Sequence, residues 1–150
     1  MNIWEADITG YGVCISKLDI NSVERIEALL DYAPKLRKKI KETFAENGIT
    51  TPTLDDYDEY DDGDTFSGIA GILQDVILED SHILFDVYEN YNCERFLIFE
   101  PRYPWNINRY TDDLYLNITQ EQIKKILKKY ISVITDSEIH IRTQVVAKRK

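Results

Sequence analysis

"TFSGIAGILQDVILEDSHILFDVYENYNCERFLIFE", residues 65–100, contains the segments that decide the fold. Its first part, residues 65–80, is apolar on most sides and includes small residues, which predicts a deeply buried helix. Two β-rich runs follow, HILFDVYEN (82–90) and ERFLIFE (94–100), separated by three residues in the manner of a β-hairpin. We therefore expect one buried helix packed against a pair of central strands.

Two further strands are predicted near the ends of the chain. WEADITGYGVCIS (4–16) alternates apolar and other residues, and Gly10 and Gly12 within it indicate a bulge or a bend. EIHIRTQVV (138–146) indicates a last strand, whose expected apolar face is formed by alternate residues: Ile139, Ile141, Thr143 and Val145.

Three more helices are predicted from capping signals and apolar spacing. Asn21 and Glu24 resemble a capping pair at the start of a first helix. Pro34 suits the first turn of a second helix, which we expect to end at Asn47 and Gly48. A capping box, Thr119-x-x-Gln122, predicts the last helix, and its apolar stripe is Ile123, Ile126, Leu127, Tyr130, Ile131 and Ile134.

The predicted order of elements is β-α-α-α-β-β-α-β, which indicates a single α+β domain over residues 1–150. We expect a mainly antiparallel sheet of about four strands, with about four helices on one of its faces. In that arrangement the buried helix packs on the sheet through Ile69, Ile72, Leu73 and Val76.

The net charge of −9 is distributed unevenly along the chain. Residues 1–50 carry 7 basic and 8 acidic groups, residues 51–100 carry 1 and 14, and residues 101–150 carry 10 and 5. Such asymmetry favours a basic protein partner over direct binding to nucleic acid. Two basic helical faces are interpreted as ordinary solvated surface: Lys35, Arg37, Lys38, Lys39 and Lys41, and Lys124, Lys125, Lys128 and Lys129.

The sequence contains no feature typical of membrane insertion or secretion. Its longest apolar run is far shorter than the roughly 18 residues that a membrane span needs. The N-terminus, MNIWEADITG, has neither a basic region nor an apolar region, so we expect no secretory signal and a cytoplasmic location. Cys14 and Cys93 lie far apart without a CxxC pair, which indicates two free thiols.

LDDYDEYDDGDTFSG, residues 54–68, concentrates negative charge and has three interpretations. It could bind a metal ion, remain a solvated loop, or present a polyanion-like surface to a basic partner. The calcium-loop interpretation fails, because aligning Gly63 with the loop glycine leaves Tyr60 and Ile69 at positions that need oxygen ligands. Partner binding would use the carboxylates and rings of Asp55, Asp56, Tyr57, Asp58, Glu59, Tyr60, Asp61, Asp62 and Asp64.

No catalytic, cofactor-binding or metal-ligating residue is assigned from the sequence. His82 and His140 are the only histidines, and each lies in a predicted strand without an identifiable nucleophile. The glycines of SGIAG match neither GxxxxGK[ST] nor GxGxxG, so they predict no phosphate-binding loop.

EPRYPWNINRYTDDLYLN, residues 100–117, is a second candidate for partner binding. Arginine, tyrosine and tryptophan dominate interface hot spots. The segment offers five such residues as candidates: Arg102, Tyr103, Trp105, Arg109 and Tyr110. The alternative is that Tyr103 and Trp105 fold back onto the hydrophobic core and anchor a long connection.

YPWNIN (103–108) followed by TQEQIKKILKKY (119–130) resembles a pattern in small acidic, functionally uncharacterised proteins of Gram-positive bacteria and their phages or mobile elements. The resemblance covers about a third of the chain and implies a bacterial origin. It implies no activity and no functional residue.

The leading hypothesis is a non-enzymatic inhibitor that occupies the basic surface of a nucleic-acid-processing enzyme, as anti-CRISPR and anti-restriction proteins do. Carboxylates alternating with tyrosines would imitate a phosphate backbone in binding arginine and lysine. One alternative is an immunity protein that neutralises a toxin, and another is a small enzyme whose site is not recognised.

Overall fold

The computed structural model describes residues 7–61, 68–100 and 118–147. Strands and helices in these ranges are β1 (Asp7–Cys14), a 3-10 turn (Ile15–Lys17), α1 (Val23–Leu30), α2 (Pro34–Glu46), α3 (Leu54–Asp58), α4 (Gly68–Ser81), β2 (Asp86–Glu89), β3 (Arg95–Phe99), α5 (Gln120–Ile134) and β4 (Arg142–Ala147). The α+β class and the predicted order are confirmed. The additional element is α3, which forms where a loop was expected.

The four strands form one antiparallel sheet in the order β2-β3-β1-β4. The predicted hairpin is confirmed as β2 and β3, which pair from Asp86 opposite Ile98 to Glu89 opposite Arg95. β1 lies in the centre and pairs with β3 on one side and β4 on the other. Residues 11–14 of β1 pair one to one with β3, and residues 7–12 pair one to one with β4. These pairs contain no inserted residue, so they do not include the bulge that was predicted at Gly10 and Gly12.

Gly12 is required in β1 because the neighbouring strand approaches it closely. A Cβ atom at this position would lie 2.8 Å from the Cα of Ile98 and closer still to the carbonyl oxygen of Leu97. No real Cβ atom tolerates such contacts with backbone atoms, so a side chain here would push β1 and β3 apart.

The described helices contribute to the core on one face of the sheet. Val13, Leu97 and Phe99 face this core, together with the predicted α4 residues Ile72, Leu73 and Val76, which are buried. Ile69 is only half-buried, because it lies in the first turn of α4 beside a surface cavity. On the opposite face a smaller cluster consists of Cys14, Phe96, Ile98 and Val146, with Tyr88 packed against it.

The predicted apolar face of the last strand is confirmed for Ile139 and Ile141, which pack into the main core before β4 begins, and is wrong for Thr143 and Val145. β4 begins at Arg142, and Gln144 and Val146 are buried, whereas Val145 is 63% exposed. Thr143 and Val145 lie opposite Tyr11 and Thr9 of β1, on the side of the sheet that carries the helices. Both are exposed, so the described helices leave this corner of the sheet uncovered.

Both histidines lie outside strands, contrary to prediction. His82 follows the last residue of α4 and has a φ of 59°, a left-handed conformation that ends the helix. β2 therefore starts at Asp86 instead of 82. His140 precedes β4 and is exposed, with its Nε2 3.8 Å from a carboxylate oxygen of Glu138.

A local cap starts α1, whereas a side chain from another helix caps the start of α2. α1 starts after Ser22, whose hydroxyl accepts a hydrogen bond from the Arg25 amide, so the predicted Asn21 cap is displaced by one residue. α2 starts at Pro34 and ends before Asn47 and Gly48, as predicted. Its first turn has no cap from its own chain segment, and the Glu79 carboxylate of α4 supplies one by accepting from two backbone amides.

Candidate partner-binding site

The acidic segment is ordered by a short helix, α3. The Thr53 hydroxyl accepts a hydrogen bond from the Asp56 amide at 3.3 Å, and an Asp56 carboxylate oxygen accepts from the Thr53 amide at 2.8 Å. This reciprocal pair is a capping box, and the sequence Thr53-x-x-Asp56 carries its signature. Asp56 is half-buried and its carboxylate caps α3, so it has a structural role, and its contact with a partner stays a prediction.

Tyr57 and Tyr60 anchor the acidic segment from below. Tyr57 is 4% exposed and Tyr60 is 5% exposed. Both rings pack edge-on against the ring of Phe44 in α2, at centroid distances of 5.3 Å for Tyr57 and 5.9 Å for Tyr60. Burial is the main cause that raises the pKa of the Tyr57 phenol. The prediction that these rings contact a partner is wrong, because the apolar core already encloses them.

Four carboxylates in the described part of the segment lie on the surface. Asp55, Asp58, Glu59 and Asp61 are exposed, and they flank the two buried tyrosines. Within the described ranges, no ion pair links Asp55, Asp58 or Glu59 to a cation. The capping box and the tyrosine anchors thus hold negative charges at fixed positions on an ordered turn.

A backbone contact ties the acidic segment to α4. The Gly68 amide donates to the Tyr60 carbonyl at 2.7 Å, and Gly68 has a φ of 80°. A Cβ atom there would lie 2.6 Å from the Asp58 carbonyl oxygen and 2.9 Å from the Arg95 Nη1. Only glycine allows α3, the start of α4 and the Arg95 guanidinium to approach so closely.

These elements surround a cavity of about 500 Å³, which we call the acidic cavity. The residues that line it come from the 3-10 turn and the chain after it, from α3, from the start of α4 and from the β2–β3 hairpin. Among the described residues that line it, Asp55, Asp58, Glu89 and Arg95 are charged, and the exposed Cys93 also lines it. No spacing or motif in the sequence predicts that residues so distant along the chain meet here.

The remaining predicted contact residues lie outside the described residues. These are Asp62 and Asp64 of the acidic segment, and all candidates of the aromatic segment: Arg102, Tyr103, Trp105, Arg109 and Tyr110. Their role in partner binding stays a prediction.

Two buried groups of a type that can act in catalysis, a thiol and a phenol, have raised pKa values. Burial raises the pKa of the Cys14 thiol, which keeps it protonated. Tyr130 is fully buried, its hydroxyl donates to Asp80 at 2.6 Å and contacts Ser81, and burial is the main cause of its raised pKa. A tyrosine that acts as a base needs a lowered pKa, so this cluster is better explained as a structural link between α4 and α5.

Metal binding and membrane insertion find no support among the described residues. In that part of the chain no three His, Cys, Asp or Glu side chains converge in a way that could hold a metal ion. None of the described helices combines the length and the apolar character that crossing a membrane requires.

Most cations on the basic faces of α2 and α5 are exposed. Lys129 is also exposed, but it contacts an acidic side chain and two aromatic rings. Its Nζ lies 3.3 Å from an Asp80 oxygen and 5.1 Å from the ring centroids of Tyr32 and Tyr130. Lys129 therefore belongs to the structural cluster between α4 and α5.

Comparison of the chain with protein-family models, with curated proteins and with solved structures finds no match.

Proposed function

We propose that this protein is a non-enzymatic binding protein that occupies the basic surface of a nucleic-acid-processing enzyme. The observation that carries the proposal is the fixed position of the exposed carboxylates Asp55, Asp58, Glu59 and Asp61 around two buried tyrosines. Carboxylates held by a folded scaffold lose less conformational freedom on binding than those of a mobile loop. This arrangement therefore supports a recognition surface better than it supports a solvated loop.

The charge distribution supports a basic protein as the partner. Residues 51–100 have a net charge of 1 − 14 = −13, and α3 lies among them. A surface of this sign attracts arginine and lysine over several ångströms and repels nucleic acid. A groove that binds DNA or RNA carries the complementary positive charge.

The pKa values of Cys14 and Tyr130 do not indicate a nucleophile or a general base. The raised pKa values of Cys14 and Tyr130 keep a thiol and a phenol in their unreactive protonated forms near neutral pH. Tyr130 is also fully enclosed by the core.

The test is capture of the partner by the wild-type protein and by a matched variant. The neutralised variant carries Asp55→Asn, Asp58→Asn, Glu59→Gln and Asp61→Asn, and it leaves the capping residue Asp56 intact. The control variant carries Glu24→Gln, Glu42→Gln, Glu46→Gln and Glu121→Gln, which removes the same number of exposed charges elsewhere.

Each protein is immobilised and exposed to bacterial lysate at low and high salt. We expect the wild-type protein and the control variant to retain a nuclease or a similar enzyme, which a DNA or RNA oligonucleotide then displaces. Retention of the same enzyme by the neutralised variant would refute the proposal. A captured toxin that nucleic acid does not displace would instead support the immunity-protein alternative.

A further inference from the structure

The lining of the acidic cavity also includes apolar residues, which we call its apolar floor. Ile15, Leu18, Ile20, Leu54 and Ile69 line it together with Ala70. Its volume of about 500 Å³ lies within the roughly 300–1,000 Å³ of typical ligand pockets. A group that fills this cavity must therefore combine an apolar portion with a polar end.

The charges around the cavity select a cation. Asp55 and Asp58 are three positions apart on α3, so their side chains lie on the same side of that helix. Glu89, at the end of β2, contributes a carboxylate from the hairpin. Arg95 is the one cation among the described residues that line the cavity, which leaves a lining charge of 1 − 3 = −2.

We propose that the acidic cavity receives an arginine side chain of the partner. The three methylene groups of arginine would pack on the apolar floor, while the guanidinium donates hydrogen bonds to carboxylates from α3 and from the hairpin. A planar group with five N–H donors suits acceptors on two sides better than the compact ammonium of lysine does. This inference rests on the proposed function and specifies the anchor residue of the partner.

The chain offers a matched pair of variants for the test. Asp58 lines the cavity, whereas Glu59 is its exposed neighbour in sequence and does not line it. Asp58→Asn and Glu59→Gln remove the same charge from the same segment, so only the position of the lost charge differs. Glu89→Gln tests the cavity independently from the hairpin side, and it remains informative if Asp58→Asn destabilises α3.

The probe is N-acetyl-arginine amide, titrated into the isotopically labelled protein and followed by NMR. We expect saturable shifts of the Leu54 and Ile69 methyl signals, and at least about tenfold weaker binding by Asp58→Asn and Glu89→Gln, because each loses a charge-assisted hydrogen bond. Glu59→Gln should bind within about twofold of wild type. The uncharged analogue N-acetyl-citrulline amide should cause no saturable shift.

Several outcomes would overturn the inference. Absence of shifts at the cavity, or equal binding of N-acetyl-lysine amide, would exclude an arginine-selective pocket. Equal losses in Asp58→Asn and Glu59→Gln would mean that general charge, and not the cavity, attracts the probe. These results leave the proposed function standing if the captured enzyme still distinguishes wild type from the neutralised variant. If that distinction is also lost, the proposed function itself fails.

Discussion

Glu79 stabilises a helix to which it does not belong. Its two carboxylate oxygens accept hydrogen bonds from the Lys35 and Leu36 amides, each at 3.0 Å, at the positive end of the α2 dipole. We expect Glu79→Ala to lower the free energy of unfolding by about 1–2 kcal/mol, measured by urea denaturation. Glu42→Ala, at an exposed position of α2, is the control and should change little. Equal effects of the two substitutions would contradict this capping role.

Substitution of Gly12 tests whether β1 and β3 must approach as closely as they do in the structure. Ala at this position would bring its Cβ into contact with the Leu97 carbonyl and the Ile98 Cα. Because backbone atoms on both strands would have to shift, we expect Gly12→Ala to cost about 2 kcal/mol or more in unfolding free energy. Thr9→Ala, at an exposed position of the same strand, should stay within about 1 kcal/mol of wild type. A Gly12→Ala protein as stable as this control would show that the strands can separate without penalty.

At the scale of elements, the hydrogen bond from Tyr130 to Asp80 links α5 to α4 and makes stability depend on pH. This bond is the main cause that lowers the pKa of the Asp80 carboxyl in the folded protein. A lowered folded-state pKa contributes stability above the unfolded pKa of about 4, and this contribution is lost as the pH falls through the folded-state value. Asp80 should therefore stabilise the fold at neutral pH and cease to do so in strong acid.

Tyr130→Phe isolates that contribution because it keeps the buried ring and removes the hydroxyl. We expect the variant to lose about 1–2 kcal/mol of unfolding free energy at pH 7. The difference from wild type should shrink as the pH falls below about 4, where the carboxylate becomes protonated in the unfolded chain. Tyr32→Phe alters the neighbouring ring and serves as the control, measured by denaturation across the same pH series. A difference that is independent of pH would remove Asp80 from this explanation.

The periodicity of apolar residues predicted the helices and strands well. The features that were predicted wrongly depend on contacts between residues that are distant in the sequence. The apolar stripes of α2 and α5, the Pro34 start of α2 and the capping box of α5 are local signals, and the bounds of these helices were predicted closely. The left-handed His82 ends α4, so the predicted start of β2 was wrong. The apolar face predicted for the last strand held for Ile139 and Ile141 but not for Thr143 and Val145, because exposure at these positions depends on which elements pack over them.

The candidate site was predicted only in part for a related reason. The density of charge in residues 54–61 suggested a loop, although Thr53-x-x-Asp56 and the two tyrosines three positions apart are helical signals. The acidic cavity is lined by residues from four separate parts of the chain, and no spacing in the sequence predicts that these parts lie together.

At the scale of the whole molecule, the concentration of charge should govern how fast a basic partner associates. The neutralised variant and the control variant both change the net charge from −9 to −9 + 4 = −5, so they differ only in where the charge is lost. Because the carboxylates around α3 repel one another in the free protein, the neutralised variant should be as stable as wild type or slightly more so.

Binding should change in the opposite direction. We expect the neutralised variant to associate with the captured enzyme at least about tenfold more slowly at low salt, and with a flatter dependence on ionic strength, because steering depends on local field. The control variant should retain most of the wild-type rate, since its charges lie on α1, α2 and α5. Stopped-flow association at two ionic strengths measures both effects. Equal rates for the two variants would show that net charge alone drives encounter, and the fixed carboxylates of α3 would then have no special part in recognition.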